Sequence, residues 1–198
     1  MEGLIFVWSC WLLLILFVFF FHTKVPSSFS IHLLCLLFLS QFTLGDDRLT
    51  VNAAALYVVL VLCFYMSVLR FKAMNMQIMA SITIALCLGS YELFRMMEPI
   101  TFLWMPDWSI AVPMVLISII MLKDSKQRML ALMMGMIVHE VLFLLLYGRF
   151  GIIYPVFSLS WLDRAASVTL CYLVFALCQL SAFRLMNSSK LIQHKKEV

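Results

Sequence analysis

Residues 129–147 read MLALMMGMIVHEVLFLLLY, a run in which only His139 and Glu140 can carry charge near neutral pH. A helix rises 1.5 Å per residue, so this run covers about 28 Å, close to the roughly 30 Å of hydrocarbon in a bilayer. It shows none of the alternation that a barrel strand requires. Helices and closed barrels are the backbones that satisfy their own hydrogen bonds in lipid, and this run selects the helix.

The same pattern recurs on both sides of it. The 198 residues are 65% hydrophobic and 12% charged, about half the charge a soluble domain uses to dress its surface. Mean hydropathy is +1.06. Lipid must therefore solvate most of the surface. The fold class is all-α, a polytopic transmembrane helical bundle of about seven spans. They are expected near 3–21, 29–44, 51–69, 73–94, 106–122, 129–147 and 165–183. Together they make a single integral membrane domain over 1–198, ending in a short basic tail at 184–198.

Local signals mark the junctions. Pro26-Ser27-Ser28, Gly45-Asp46-Asp47-Arg48, Arg70-Phe71-Lys72 and the polar run from Lys123 to Arg128 break the apolar stretches. Trp104, Pro106 and Trp108 mark an interfacial segment, where tryptophan is enriched. Residues 148–164, with Gly148, Gly151, Tyr154, Pro155 and Trp161, read as a surface loop or short interfacial helix, with a re-entrant element as the alternative. The first span has Glu2 and no basic residue before it, and no small-residue cleavage site after it, so it reads as an uncleaved span rather than a leader.

Orientation follows from Lys and Arg in the short loops. With the N-terminus outside and the C-terminus cytoplasmic, the inner side holds Lys24, Arg70, Lys72, Lys123, Lys126, Arg128, Arg184, Lys190, Lys195 and Lys196. The outer side holds Arg48, Arg95, Arg149 and Arg164. Reversal would invert the trend. The six cysteines all fall inside expected spans without a CxxC pair, which suits small buried hydrophobes rather than a disulfide framework or metal site.

Ionisable residues deep in a bilayer cost about 2.5–3.5 kcal/mol each on insertion scales and are functional suspects. His139 and Glu140 lie some 16 Å into the sixth span by helical rise. Adjacent residues point about 100° apart, so the two cannot share a helix face. Gly135, one turn before His139, leaves room for a close neighbour. No Lys or Arg lies at that depth in another expected span, and the nearest polar groups by depth are Ser81 and Thr83. Glu140 is thus expected to be buried without a charged partner in its own chain, protonated and donating a hydrogen bond. Its functional readings are proton handling, a polar ligand, or a partner's basic residue. The plainer reading is neutral helix-to-helix glue.

In the fourth span Gln77, Ser81, Ala85, Leu88 and Glu92 follow helical spacing and form a stripe of small and polar residues, with Arg95 placed to pair with Glu92 one turn on. This suits a helix at the bundle centre or one wall of a water-filled path. Pro99, Pro106 and Pro113 suit a broken helix or an interfacial turn plus one kink. The candidate polar site is therefore His139, Glu140, Ser81, Thr83, Gln77 and Glu92.

Several classes are excluded. No lysine falls within a span, so there is no retinal attachment point. Walker, dinucleotide, HExxH and GxSxG patterns are absent from the chain. No cofactor, metal or catalytic group is expected, and the +4 net charge sits with inner-face lipids rather than nucleic acid. Asn187-Ser188-Ser189 matches a glycosylation sequon that this topology leaves inert, and Lys195-Lys196-Glu197-Val198 suits either a basic tail beside anionic lipid or a dilysine retrieval signal.

Met1-Glu2-Gly3 followed by Trp8 and Trp11 in a first span of this length resembles the YphA-like family of small bacterial membrane proteins. The size and seven-span layout agree with it. The resemblance implies a bacterial plasma membrane, with the endoplasmic reticulum as the alternative. It transfers no functional residue, because the family carries no established activity. The leading expectation is an accessory or scaffold protein that acts through helix contacts with other membrane proteins or with itself. The alternatives are a small carrier or channel for a proton, ion or solute and, last, an intramembrane or lipid-modifying enzyme.

Overall fold

The computed structural model describes residues 2–20, 27–46, 49–67, 71–102, 107–150 and 155–196. Helix α1 runs Leu4–Ile15 and continues as a π-helical turn over Leu16–Phe20; α2 is Ser27–Leu39. A hairpin of β1 (Thr43–Asp46) and β2 (Leu49–Asn52) leads into α3, Ala53–Ser67. Then come α4 (Phe71–Met97), the short α5 (Pro99–Phe102) and a 3-10 turn at Asp107–Ile110. Helices α6 (Ala111–Met121), α7 (Ser125–Arg149) and α8 (Leu159–Lys196) complete the chain.

Among the described residues, three stretches are long and apolar enough to cross a membrane: Met74–Met97, Ser125–Arg149 and Leu159–Ala182. The apolar helices Leu4–Phe19, Ser30–Leu39, Ala53–Ser67 and Ala111–Met121 are shorter. The membrane-embedded helical class stands, with three helices of full spanning length among the described residues and four shorter apolar ones.

Helices α4 and α7 form the most extensive pair. Gly135 is the reason they approach so closely: a Cβ there would lie 2.7 Å from Ile84 Cγ2 and 3.0 Å from the Ser81 carbonyl oxygen. Of the expected stripe on α4, Gln77, Ser81, Ala85 and Leu88 are buried, with Ala80 and Ile84 beside them, and Glu92 is half-buried. Close packing of small residues replaces the hydrophobic effect between helices in lipid.

Several expectations change. The second span ends early because residues 43–46 pair antiparallel with residues 49–52, Thr43 opposite Asn52. Asn52 anchors it while almost fully buried. Its side-chain amide donates to the Ser40 carbonyl at 3.0 Å, its side-chain oxygen accepts from the Ala54 amide at 2.9 Å, and its main-chain N–H donates to the Phe157 carbonyl at 3.2 Å. Pro99 opens α5 and Pro113 sits in the first turn of α6, where a missing N–H removes no helical bond. Neither breaks a helix, and Pro106 lies outside the described residues. The expected tail at 184–198 continues α8 as helix to Lys196.

The region read as a loop to residue 164 ends sooner, because α8 begins at Leu159. Trp161 and Leu162 are each about 1% exposed and pin its first turn into the core. Of the loop, residues 151–154 lie outside the described residues, and with them the expected re-entrant element. Asp163 caps α1 from across the chain: one oxygen accepts from the Gly3 amide and the other from the Phe6 amide, both at 2.7 Å. Gly3 takes a left-handed φ of 88°, a conformation glycine reaches without steric cost, and so turns its N–H toward Asp163. Asp163→Ala is expected to destabilise the protein by about 1–2 kcal/mol, a normal cap loss. Asp163→Asn, which keeps one acceptor oxygen, should cost less. Thermal denaturation in mild detergent and faster amide exchange at residues 3–6 check this.

Candidate functional site

Glu92 lies near the C-terminal end of α4, His139 and Glu140 lie past the middle of α7, and Arg164 lies in the second turn of α8. The bundle brings all four together. One guanidinium nitrogen of Arg164 donates to Glu92 Oε1, and the other to Glu140 Oε1 at 3.2 Å. Arg164 thereby forks between two helices, which a planar guanidinium does and an ammonium does not. His139 Nε2 stands 3.3 Å from Glu92 Oε2, within ion-pair distance but off the line of a hydrogen bond. Its other face stacks on Phe143, ring centroids 4.4 Å apart. Glu140 and His139 are each about 1% exposed, whereas the Glu92 and Arg164 side chains are partly open.

That arrangement corrects the expectation of a Glu140 without a charged partner in its own chain. Arg164 is the partner. It was counted in an outer loop because its surroundings, Trp161-Leu162-Asp163-Arg164, follow glycine and proline. Folding puts both charges on α8, Asp163 against the α1 backbone and Arg164 against the carboxylates. The expected Glu92–Arg95 pair likewise gives way to Glu92–Arg164. His139 and Glu140 do point different ways, yet Glu92 and Arg164 reach each from separate helices and join them in one cluster.

Half of the candidate residues belong here. Ser81 and Thr83 do not lie at the level of His139, because the neighbour of His139 on α4 is Gly89. Ser81 donates to the Gln77 carbonyl at 2.8 Å, and Thr83, exposed, donates to the Met79 carbonyl at 2.9 Å. These bonds satisfy the hydroxyls within their own helix. Gln77 is fully buried and its amide donates to the Gln127 carbonyl at 3.0 Å, tying α4 to the first turn of α7. Tyr172 does the same for α8, donating to the Ser125 carbonyl at 2.7 Å.

Above the cluster a cavity of about 690 Å³ opens between α1, α4, α8 and the 3-10 turn. Glu92 and Arg164 line it midway, with Leu88 and Ser167 one turn further in on α4 and α8. Leu88, Ile5, Ile110 and Met96 make its walls apolar, and Tyr91, Ser160 and Ser167 add polar atoms. Glu2 and Arg95 stand exposed at its mouth. Deeper in the bundle, Ile84, Leu132 and Met136 are buried. No group of three or more His, Cys, Asp or Glu side chains placed to hold a metal occurs among the described residues.

A family model described as YphA-like integral membrane protein matches residues 2–198. The uncharacterized protein YphA of Bacillus subtilis (strain 168) is 23% identical over 173 residues, covering 84% of this chain and 83% of its own. No solved structure matches the chain.

Proposed function

The chain belongs to the YphA-like integral membrane protein family, and from that footing we propose that it is a small-solute carrier that takes its ligand into the cavity lined by Glu92 and Arg164. The observation that carries this reading is a cavity of about 690 Å³ lined by the Glu92–Arg164 ion pair. Ligand pockets of drug-sized solutes fall in the range of about 300–1,000 Å³ and combine apolar walls with a few placed polar groups. The accessory or scaffold reading draws on tiny loops, tryptophan- and methionine-rich helix surfaces and a Glu140 with no charged partner in its own chain, and Arg164 removes the last of these motives. A carrier, second among the expectations, takes its place, and the proposed role is non-catalytic.

In this reading the protein sits in a bacterial plasma membrane as a seven-helix bundle with its N-terminus outside, in keeping with its basic inner loops. The cavity, at the same end as the α1 N-terminus, then faces outward. Single cysteines introduced at Tyr91, Leu88, Ile84 and Ala80, in a variant lacking the six native cysteines, test this in right-side-out vesicles. A membrane-impermeant maleimide is expected to label positions 91 and 88 and to spare 84 and 80. Lowering the pH should shift labelling along α4. Uniform protection of all four positions would sink the carrier reading.

A further inference from the structure

The ionic cluster contains two carboxylates, Glu92 and Glu140, against one guanidinium, Arg164, with His139 beside Glu92. An uncompensated charge in a site of low dielectric costs several kcal/mol, so neutrality at rest asks for one proton in the cluster. We propose that this cavity binds a monovalent organic ammonium ion in exchange for that single proton. The proposal rests on the carrier reading and names its substrate class.

The surrounding groups leave this charge as the adjustable one. Both oxygens of Asp163 are committed to main-chain amides of α1. Glu2 from α1 and Arg95 from α4 stand at the mouth, one of each sign. Tyr147 of α7 donates to Met96 at 3.1 Å, and α6 has no ionisable side chain. What remains is the second carboxylate of the Glu92–Glu140 pair. When an ammonium ion enters, it supplies the positive charge, the proton leaves to water in the cavity, and the net charge of the cluster is unchanged.

Size and lining select the ligand's body. A bare ion would need a small fraction of the roughly 690 Å³ available. The walls from Leu88, Ile5, Ile110 and Met96 fit an apolar group, and the Tyr91 ring offers a face on which an ammonium is attracted. Two sources carry this chemistry, a free organic amine and the ammonium headgroup of a membrane lipid.

The test is isothermal titration of the full-length protein in maltoside micelles with phenethylammonium and with its neutral counterpart 2-phenylethanol, in buffers of different ionisation enthalpy. Phenethylammonium is expected to bind at least tenfold more tightly than the alcohol and to release about one proton at neutral pH. Glu140→Gln and Glu92→Gln, each of which leaves one carboxylate for Arg164, should lose at least tenfold in affinity for the amine and release no proton. The comparison of the two probes on the unaltered protein stands even where a variant fails to fold. Equal binding of amine and alcohol, amine binding without proton release, or no binding of either overturns the exchange. Equal binding that is abolished by filling the cavity with Ser167→Trp leaves the carrier reading standing, whereas binding indifferent to Ser167→Trp removes both. Displacement of the amine by phosphatidylethanolamine, but not phosphatidylglycerol, supports the ammonium site and assigns it to a lipid headgroup. Absence of such displacement supports it with a free solute.

Discussion

Arg164→Met is expected to lower the stability of the folded protein by about 3–5 kcal/mol, the loss that follows when one partner of a buried ionic network is removed. The reason lies in what is left behind. Glu140 is about 1% exposed, and with Arg164 gone it faces Glu92 and His139 with one positive group fewer. The protein can respond by taking up a further proton or by opening α8 away from α4 and α7. Arg164→Lys should fall between the two, since an ammonium is a point charge and cannot fork to Glu92 and Glu140 together. Removing a carboxylate as well tests the cause directly. Arg164→Met combined with Glu140→Gln should be more stable than Arg164→Met alone, and the coupling is read from a double-mutant cycle. Unfolding midpoints in mixed micelles provide the measurement. Additive losses across the cycle would mean that Arg164 supports α8 by packing and not by charge.

Gly135→Leu is expected to separate α4 from α7 and to be the most disruptive substitution of a single small residue in the bundle. Even the Cβ of alanine would lie 2.7 Å from Ile84 Cγ2, 2.8 Å from Ile84 Cβ and 3.0 Å from the Ser81 carbonyl oxygen. Two of these contacts are to main chain or to an atom fixed by it, so no rotamer change relieves them. Overpacking costs about 1–3 kcal/mol for added methylenes in a packed core. Against this, alanine gains about 1 kcal/mol over glycine in helix propensity. The steric term wins because the backbone of α4 must move. Ile84→Ala should rescue Gly135→Ala only in part, since it removes the 2.7 Å contact and leaves the other two. Gly148→Ala is the control: nothing lies within 4 Å of a Cβ there, and it should be neutral or slightly stabilising. Shifting α4 also moves Glu92 from His139, so Gly135→Leu should weaken amine binding even in the fraction that remains folded.

The membrane class, the helical backbone and the polar stripe on α4 are legible in the chain because each is a property of consecutive residues. A run long enough to cross hydrocarbon, a repeat every three to four residues, and a glycine one turn before a buried histidine all act locally. His139, Glu140 and Glu92 could be singled out for the same reason, since an ionisable group in an apolar run stands out wherever that run ends up. Gln77, Ser81 and Thr83 stood out equally, and what set them apart was how their hydrogen bonds close. Ser81 and Thr83 bond within α4, and Gln77 bonds to the start of α7.

Arg164 could not be found that way. It lies 24 residues from Glu140 and 72 from Glu92 in sequence, and Asp163 lies 160 from Gly3. Taken alone, Asp163-Arg164 carries two charges beside a loop and reads as solvent-facing. In the fold, Asp163 accepts from main-chain amides of α1 and Arg164 pairs with carboxylates on α4 and α7. The Asn52 hairpin went unread for a similar reason, because its anchor is the distant Phe157 carbonyl. The chain by itself determined that lipid is the solvent and which residues resist it. Tertiary structure alone decided which charges meet, because ion pairing depends on distance in space and has no period along the sequence.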